Sequence, residues 1–367
     1  MARRLMKPLV SLILILTVCL VAPIAKGSEL VDPDATRQTK KMFKKLQSVT
    51  GTGMLFGHQD TTLYGVGWKA APGEVARSDV KTVVGEFPGV YGWDVARWPT
   101  GELGHGSDSA YREHIVAADE RGGLNTFSWH LFNPVTDENF YDKTPAVANI
   151  LPGGDKHETY KADLDTLAAF TLSLKTKRGK PIPIIFRPFH EHTGSWFWWG
   201  RDFCTSEEYK ALWRFTVEYL RDVKGVHQFL YAYSPDKVKS PEEYFERYPG
   251  DDYVDILALD NYVRGENPKE IEEMLVRLRL IVTESEKRGK VAALSETGLE
   301  GLVDEGWFTR VILDPIKNDP VARKIAYVLV WRNHSDTHFF ATYPGHSSES
   351  DFRDFYEDSF TFFQSRN

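Results

Sequence analysis

Cysteine is almost missing from this chain: its 367 residues hold two, Cys19 and Cys204. Cys19 falls in a stretch that reads as a removable leader, so the mature chain keeps Cys204 alone, has no internal disulfide and must draw its stability from a packed core. Long apolar runs are scarce too. Residues 9–22 form one, but it is shorter than the roughly 20 residues that cross a bilayer, and no second run follows. A surplus of positive charge is lacking, since the formal net charge is -7 and no Lys/Arg-rich patch is set among aromatics beyond the extreme N-terminus. That excludes nucleic acid as the expected partner. No Gly-x-Gly-x-x-Gly turn follows the first apolar run, no Gly-x-Ser-x-Gly elbow surrounds Ser295, and no linker or low-complexity tract divides the chain.

The N-terminus carries an address. Arg3, Arg4 and Lys7 precede the apolar run, and Ala25-Lys26-Gly27 places small residues where a signal peptidase reads. Residues 1–27 are expected to be an export signal cleaved before Ser28, sending the protein to the periplasm or outside the cell. The alternative, a lipid on Cys19, has an imperfect context: Val18 precedes it and further apolar residues follow.

What the chain has in abundance is alternation. Short apolar runs at 53–56, 83–90, 124–129, 182–186, 229–233, 256–259, 291–294 and 327–330 alternate with longer amphipathic segments. Asn267-Pro268 with Glu270 reads as a cap and first turn, after which Ile271, Met274, Leu275, Leu278 and Ile281 recur at helical spacing. Ser240-Pro241-Glu242-Glu243 repeats that start, and further helices are expected at 37–47, 111–120, 160–174, 206–223, 306–316 and 351–363. Eight βα units in one uninterrupted domain, 28–367, predict a single closed (β/α)8 TIM barrel. Polar residues also collect just past the runs, where such barrels keep their working groups: His58-Gln59-Asp60, Trp93-Asp94, His130, His190-Glu191, Ser234, Asp236, Asp260, Tyr262, Glu296 and Trp331-Arg332-Asn333.

Residues 187–200, Arg-Pro-Phe-His-Glu-His-Thr-Gly-Ser-Trp-Phe-Trp-Trp-Gly, concentrate this chemistry. A glycosidic bond needs a proton donor at its bridging oxygen, and the apolar faces of a pyranose need flat surfaces; Glu191 beside Trp196, Trp198 and Trp199 supplies both. Retaining hydrolysis needs a second carboxylate about 5–5.5 Å away as nucleophile. Glu296, past the seventh run, is assigned that part and Glu191 the acid/base part. Taken singly, each residue has a duller reading. A strand-end Glu is more often a surface ion pair, at least one of the three indoles is expected to be loop packing, and Trp93 and Trp129 are as readily core as site. His58 and Asp94 read as groups that orient their neighbours. His130, His190 and His192 raise the question of a metal, but their spacing is permissive and no His-x-His pair on the first strand joins them. No metal and no cofactor are expected.

Gly57-His58-Gln59-Asp60, Gly92-Trp93-Asp94, Ser128-Trp129-His130, residues 187–200, Asp260-Asn261-Tyr262, Leu294-Ser295-Glu296-Thr297-Gly298 and Val330-Trp331-Arg332-Asn333 together resemble the β-mannanases of glycoside hydrolase family 26 over nearly the whole mature chain. The resemblance implies a retaining barrel enzyme with Glu191 as acid/base, Glu296 as nucleophile and a pocket lined by His130, His190, Trp196, Tyr262 and Trp331. Within it, His190 is expected to hydrogen-bond Glu296, with Tyr262 on the opposite side and Arg187 keeping that carboxylate ionised. The expected activity is endo-type cleavage of β-1,4 bonds in mannan, glucomannan or galactomannan by a monomer. The alternatives are release of mannobiose from chain ends, with 133–158 walling the cleft, and a non-catalytic carbohydrate-binding or sensing barrel.

Overall fold

The computed structural model describes residues 30–95, 108–265 and 267–364. The expected export signal, Cys19 included, lies outside them. Eight parallel strands form the centre: β1 Met54–Gln59, β2 Val90–Asp94, β3 Leu124–Trp129, β4 Ile184–Pro188, β5 Phe229–Tyr233, β6 Ile256–Asp260, β7 Val291–Thr297 and β8 Tyr327–Val330. Each pairs with the next, and β8 returns to β1 with Leu55 opposite Tyr327 and His58 opposite Val330, so the sheet closes on itself. A short strand, β9 Thr361–Phe362, pairs with β1 at Met54 and Leu55, below the point where β2 joins at Gly57.

Side chains alternate across the sheet with a period of two, as strand geometry requires. Leu55, Val90, Leu124, Ile185, Leu230, Ile256, Ala258, Val291, Ala293 and Leu329 fill one core, inside the barrel. The helix Arg37–Val49 joins that core with Met42, Phe43, Leu46 and Val49, stoppering the end opposite the strand C-termini. The intervening strand residues, such as Phe56, Ile184, Phe186, Leu257 and Leu259, pack in the larger core under the outer helices. This alternation places Arg187 on the inward set of Ile185, and Asp260 on that of Ile256 and Ala258.

Strand β7 breaks the rule at one informative position. Leu259 faces Leu294, but Asp260 faces Glu296, because the register slips by one residue at Ser295. Such a bulge re-aims the side chains beyond it. Strict alternation from Val291 and Ala293 would direct Ser295 inward and Glu296 outward; the slip brings Glu296 into line with Asp260 instead.

Several expected boundaries move. The apolar run 83–90 is not a strand: Ser78 caps a helix Asp79–Val84, Gly85 ends it at φ +85, and the strand begins at Val90. The local cap outweighs the β-branched composition. The helix expected at 206–223 starts with a full capping box, Thr205 with Glu208, and widens into a π turn at Tyr219–Val223. The segment 306–316 holds a π-helical stretch Phe308–Leu313 running into Asp314–Asn318, and 351–363 divides into a helix Glu349–Glu357 and β9. Among the described residues no helix is long and apolar enough to cross a membrane.

Candidate active site

Arg187 ends β4 fully inside the barrel, 2% exposed. Its Nη1 donates to Asp260 Oδ2 at 2.5 Å and its Nη2 to Glu296 Oε2 at 2.5 Å, with Ser234 Oγ accepting a longer bond at 3.3 Å. Burial works against the guanidinium charge, but the Asp260 and Glu296 carboxylates outweigh it and hold Arg187 firmly protonated. The second oxygen of Glu296, Oε1, accepts from the Tyr262 hydroxyl at 2.6 Å. Both oxygens of this carboxylate are thereby fixed by donors, one of them charged.

Glu191 sits three residues past β4 in a turn whose backbone is unusual: Phe189 and Glu191 adopt positive φ, +47 and +53. Neither is a residue that visits that region readily, so the turn must be held from outside. It is. The Tyr209 hydroxyl donates to the Phe189 carbonyl at 2.9 Å, Trp199 Nε1 to the His190 carbonyl at 2.8 Å, and the Glu191 N–H to the Ser234 carbonyl at 2.8 Å. Among the described residues the half-buried Glu191 side chain has one hydrogen-bond partner, Trp196 Nε1, at 2.7 Å from Oε2. Desolvation, and then the negative charges of Glu296, Asp260 and Asp236, push its proton affinity well above the ordinary carboxylate range, with the Trp196 N–H pulling the other way. Two glutamates thus occupy opposed surroundings, one gripped by donors and one crowded by anions.

His130, past β3, is held by Asp94, which ends β2: its Nδ1 lies 2.9 Å from Asp94 Oδ2. The His130 ring meets His190 edge-on at 4.6 Å and packs near Phe140 (4.6 Å), Phe197 (5.2 Å) and Trp331 (5.9 Å). Trp331, Trp196 and Tyr262 are half-buried. All eight residues singled out from the sequence for the site therefore lie at the C-terminal ends of strands, Arg187 and Glu296 as the penultimate residues of β4 and β7 and the other six just beyond a strand, on one face of the barrel.

One expected contact does not form. Among the described residues no hydrogen bond joins His190 to Glu296, whose two oxygens are taken by Arg187 and Tyr262, and His190 Nδ1 is buried without a partner. Burial and the nearby Arg187 cation lower its proton affinity far below the imidazole norm, so the ring is neutral. His192 turns away altogether, buried against Tyr209 and Tyr233 at 4.4 and 4.9 Å. Trp198 and Trp199 are packing residues with no exposed surface, as are Trp93 and Trp129. Among the described residues no three His, Cys, Asp or Glu side chains are grouped to hold a metal ion.

Asp94 and Asp260 gain importance that their sequence context understated. Both stand at strand ends in short motifs, which was a signal of place; their partners, His130 and Arg187, are 36 and 73 residues distant and appear only on folding. Phe140 and Phe197, which flank His130, were not distinguishable from loop packing.

Comparison with known proteins is consistent along the chain. The sequence model of glycosyl hydrolase family 26 matches residues 31–363. A mannan endo-1,4-β-mannosidase of Bifidobacterium adolescentis is 34% identical over 351 residues, a match that takes in 88% of this chain and 34% of the relative. This chain thus spans about one third of that protein's length. Among solved structures, a GH26 β-mannanase from Bacteroides ovatus superposes with a TM-score of 0.85 at 43% identity, covering 90% of this chain and 96% of the other. An endo-β-1,4-mannanase from Cellulomonas fimi gives 0.87 at 39% identity, covering 93% and 79%.

Proposed function

Since the chain belongs to glycosyl hydrolase family 26, we propose that it is an endo-acting β-1,4-mannanase that cleaves mannan, glucomannan or galactomannan with net retention. The observation that carries this reading is the contrast between Glu296, held by Arg187 and Tyr262, and Glu191, whose carboxyl is driven towards its protonated form. A carboxylate and a carboxylic acid held ready side by side are what double displacement requires. The family relatives named as mannan-cleaving enzymes support the substrate class.

The steps follow from these environments. Glu296 attacks the anomeric carbon of the sugar at the cleavage point while Glu191 delivers its proton to the departing glycosidic oxygen, forming a glycosyl-enzyme ester. Esterification removes the charge on Glu296, and with it a main cause of the raised proton affinity of Glu191. Glu191, now a carboxylate, takes a proton from water, which attacks the ester and releases the sugar with its original configuration. Arg187 and Tyr262 keep the Glu296 carboxylate aimed throughout. Trp331 and His190 line the cleavage point, Trp196 stacks on the ring beyond it, and His130 binds a hydroxyl. No cofactor takes part. The catalytic unit is a single domain, 28–367, acting as a monomer after export and loss of residues 1–27, in the periplasm or outside the cell; the alternative, cleavage before Cys19 with a lipid on it, would anchor the chain to a membrane.

A time course on soluble mannan tests this reading, beside xylan and mixed-linkage glucan. Mixed manno-oligosaccharides are expected first; immediate disaccharide as the only product would sink the endo assignment, and preference for xylan or glucan the substrate. Glu296→Ala is expected to abolish turnover in a folded protein. Retention of more than about a tenth of wild-type activity, under 1.4 kcal/mol of lost transition-state binding, would remove Glu296 from the nucleophile's role.

A further inference from the structure

A cluster at the barrel mouth is left over once the two glutamates and their partners are assigned: Asp60 and Tyr64 past β1, Asp94 ending β2, and Arg332 past β8. The Tyr64 hydroxyl donates to Asp60 Oδ2, and Arg332 hydrogen-bonds Tyr64 within electrostatic reach of both Asp60 and Asp94. The two carboxylates differ. Burial pushes the Asp60 carboxyl up to about 7. Burial acts on Asp94 in the same sense, but His130 and Arg332 overcome it and bring its proton affinity below the usual range. Asp94 is therefore the settled anion of the pair.

Asp94 meets His130 at two points, the ring Nδ1 at 2.9 Å from Oδ2 and the backbone N–H at 3.5 Å from Oδ1. An ionised carboxylate has no proton to give, so the ring nitrogen facing it must carry one. We propose that Asp94 is a positioning residue that fixes His130 as the Nδ1–H tautomer, leaving Nε2 as a lone-pair acceptor for a sugar hydroxyl. The assignment rests on the reading of the mouth as a glycosidase site. It gives a job to a carboxylate that touches neither glutamate, and His130 in front of it, with the Arg332 cation nearby, keeps its proton affinity low despite burial. With Phe140, Phe197, His190 and Trp331 packed around the ring, the imidazole has little freedom to turn over.

The experiment has two arms on the full-length protein. In the first, ¹⁵N NMR of the substrate-free enzyme, with His130 assigned by its loss in His130→Gln, is expected to show Nδ1 protonated and Nε2 bare. Asp94→Asn, which preserves volume and can turn its amide NH2 towards the ring, is expected to raise the fraction of the Nε2–H form. A wild-type ring already carrying its proton on Nε2, or a tautomer ratio indifferent to Asp94→Asn, would overturn the proposal. In the second arm, Asp94→Ala and His130→Ala are each expected to lower kcat/KM on mannan by about 10- to 100-fold, the range of a lost charged hydrogen bond. The double variant is expected to fall no further than His130→Ala alone; independent, multiplying losses would refute the coupling. Because the NMR arm needs no turnover, a wild-type protein inactive on mannan would defeat the functional reading and still leave the tautomer to be decided.

Discussion

Replacing Arg187 with methionine removes the one cation that bridges Asp260 and Glu296 and leaves an unbranched chain in its space. The two carboxylates were held 2.5 Å from separate guanidinium nitrogens in a part of the barrel where Arg187 is 2% and Asp260 0% exposed. Breaking a buried ion pair by deleting one partner costs about 3–5 kcal/mol, because the remaining charge is left uncompensated. With an unfolding entropy of roughly 2.1 cal/mol/K per residue, the domain 28–367 has about 0.7 kcal/mol/K in total, so that loss lowers Tm by about 4–7 °C. Differential scanning calorimetry at neutral pH measures it, together with turnover on mannan, which is expected to collapse because Glu296 loses one of its two anchors. The double variant Arg187→Met/Asp260→Asn removes one of the abandoned charges and is expected to recover a good part of the Tm without recovering activity. A single variant melting within about 1 °C of the wild type would refute the claim that this ion pair is buried and coupled.

Three further outcomes follow from the same geometry. In the proposed reaction Glu191 acts in its protonated form, so activity is expected to be lost as pH rises through its raised pKa; Trp196→Phe deletes the N–H that favours the ionised form, and the alkaline limb of the kcat/KM profile is expected to move to higher pH, a downward or absent shift contradicting the assigned bond. Trp198→Ala empties a site with 0% exposure and is expected to cost about 3–5 kcal/mol of stability in denaturant titrations, with the KM of the folded fraction unchanged; a KM effect without a stability effect would make Trp198 a sugar platform. Prolonged treatment with a chelator is expected to leave turnover on mannan intact, and a loss restored by a divalent ion would mean that metal chemistry had been overlooked.

Seven of the eight strands were legible in the sequence because each lies on a short apolar run in a chain that alternates between two periods. Where the reading slipped, a local interaction had overruled composition. Residues 83–90 looked like a strand by their valines, yet Ser78 and Gly85 punctuate a helix at that point and move β2 downstream. The end of 351–363 became β9 because Thr361 and Phe362 found the free edge of β1, a partner some 300 residues away. At the site, the residue types and their strand-end positions were readable. The contacts were not: His190 was expected on Glu296, where Tyr262 and Arg187 occupy both oxygens.

By itself, then, the sequence determined the repeat of βα units, the face on which the polar groups gather and the two glutamates proposed as acid and nucleophile, since periodicity and motif are properties of neighbouring residues. Only the tertiary structure decided which way each group points and what charge it bears. The one-residue slip at Ser295 that aligns Glu296 with Asp260, the external bonds that hold Glu191 at positive φ, and the grip of Asp94 on His130 all depend on contacts that form only on folding. Orientation and proton affinity are set by whatever lies within a few ångströms in space, and closing the barrel is the event that brings those groups together.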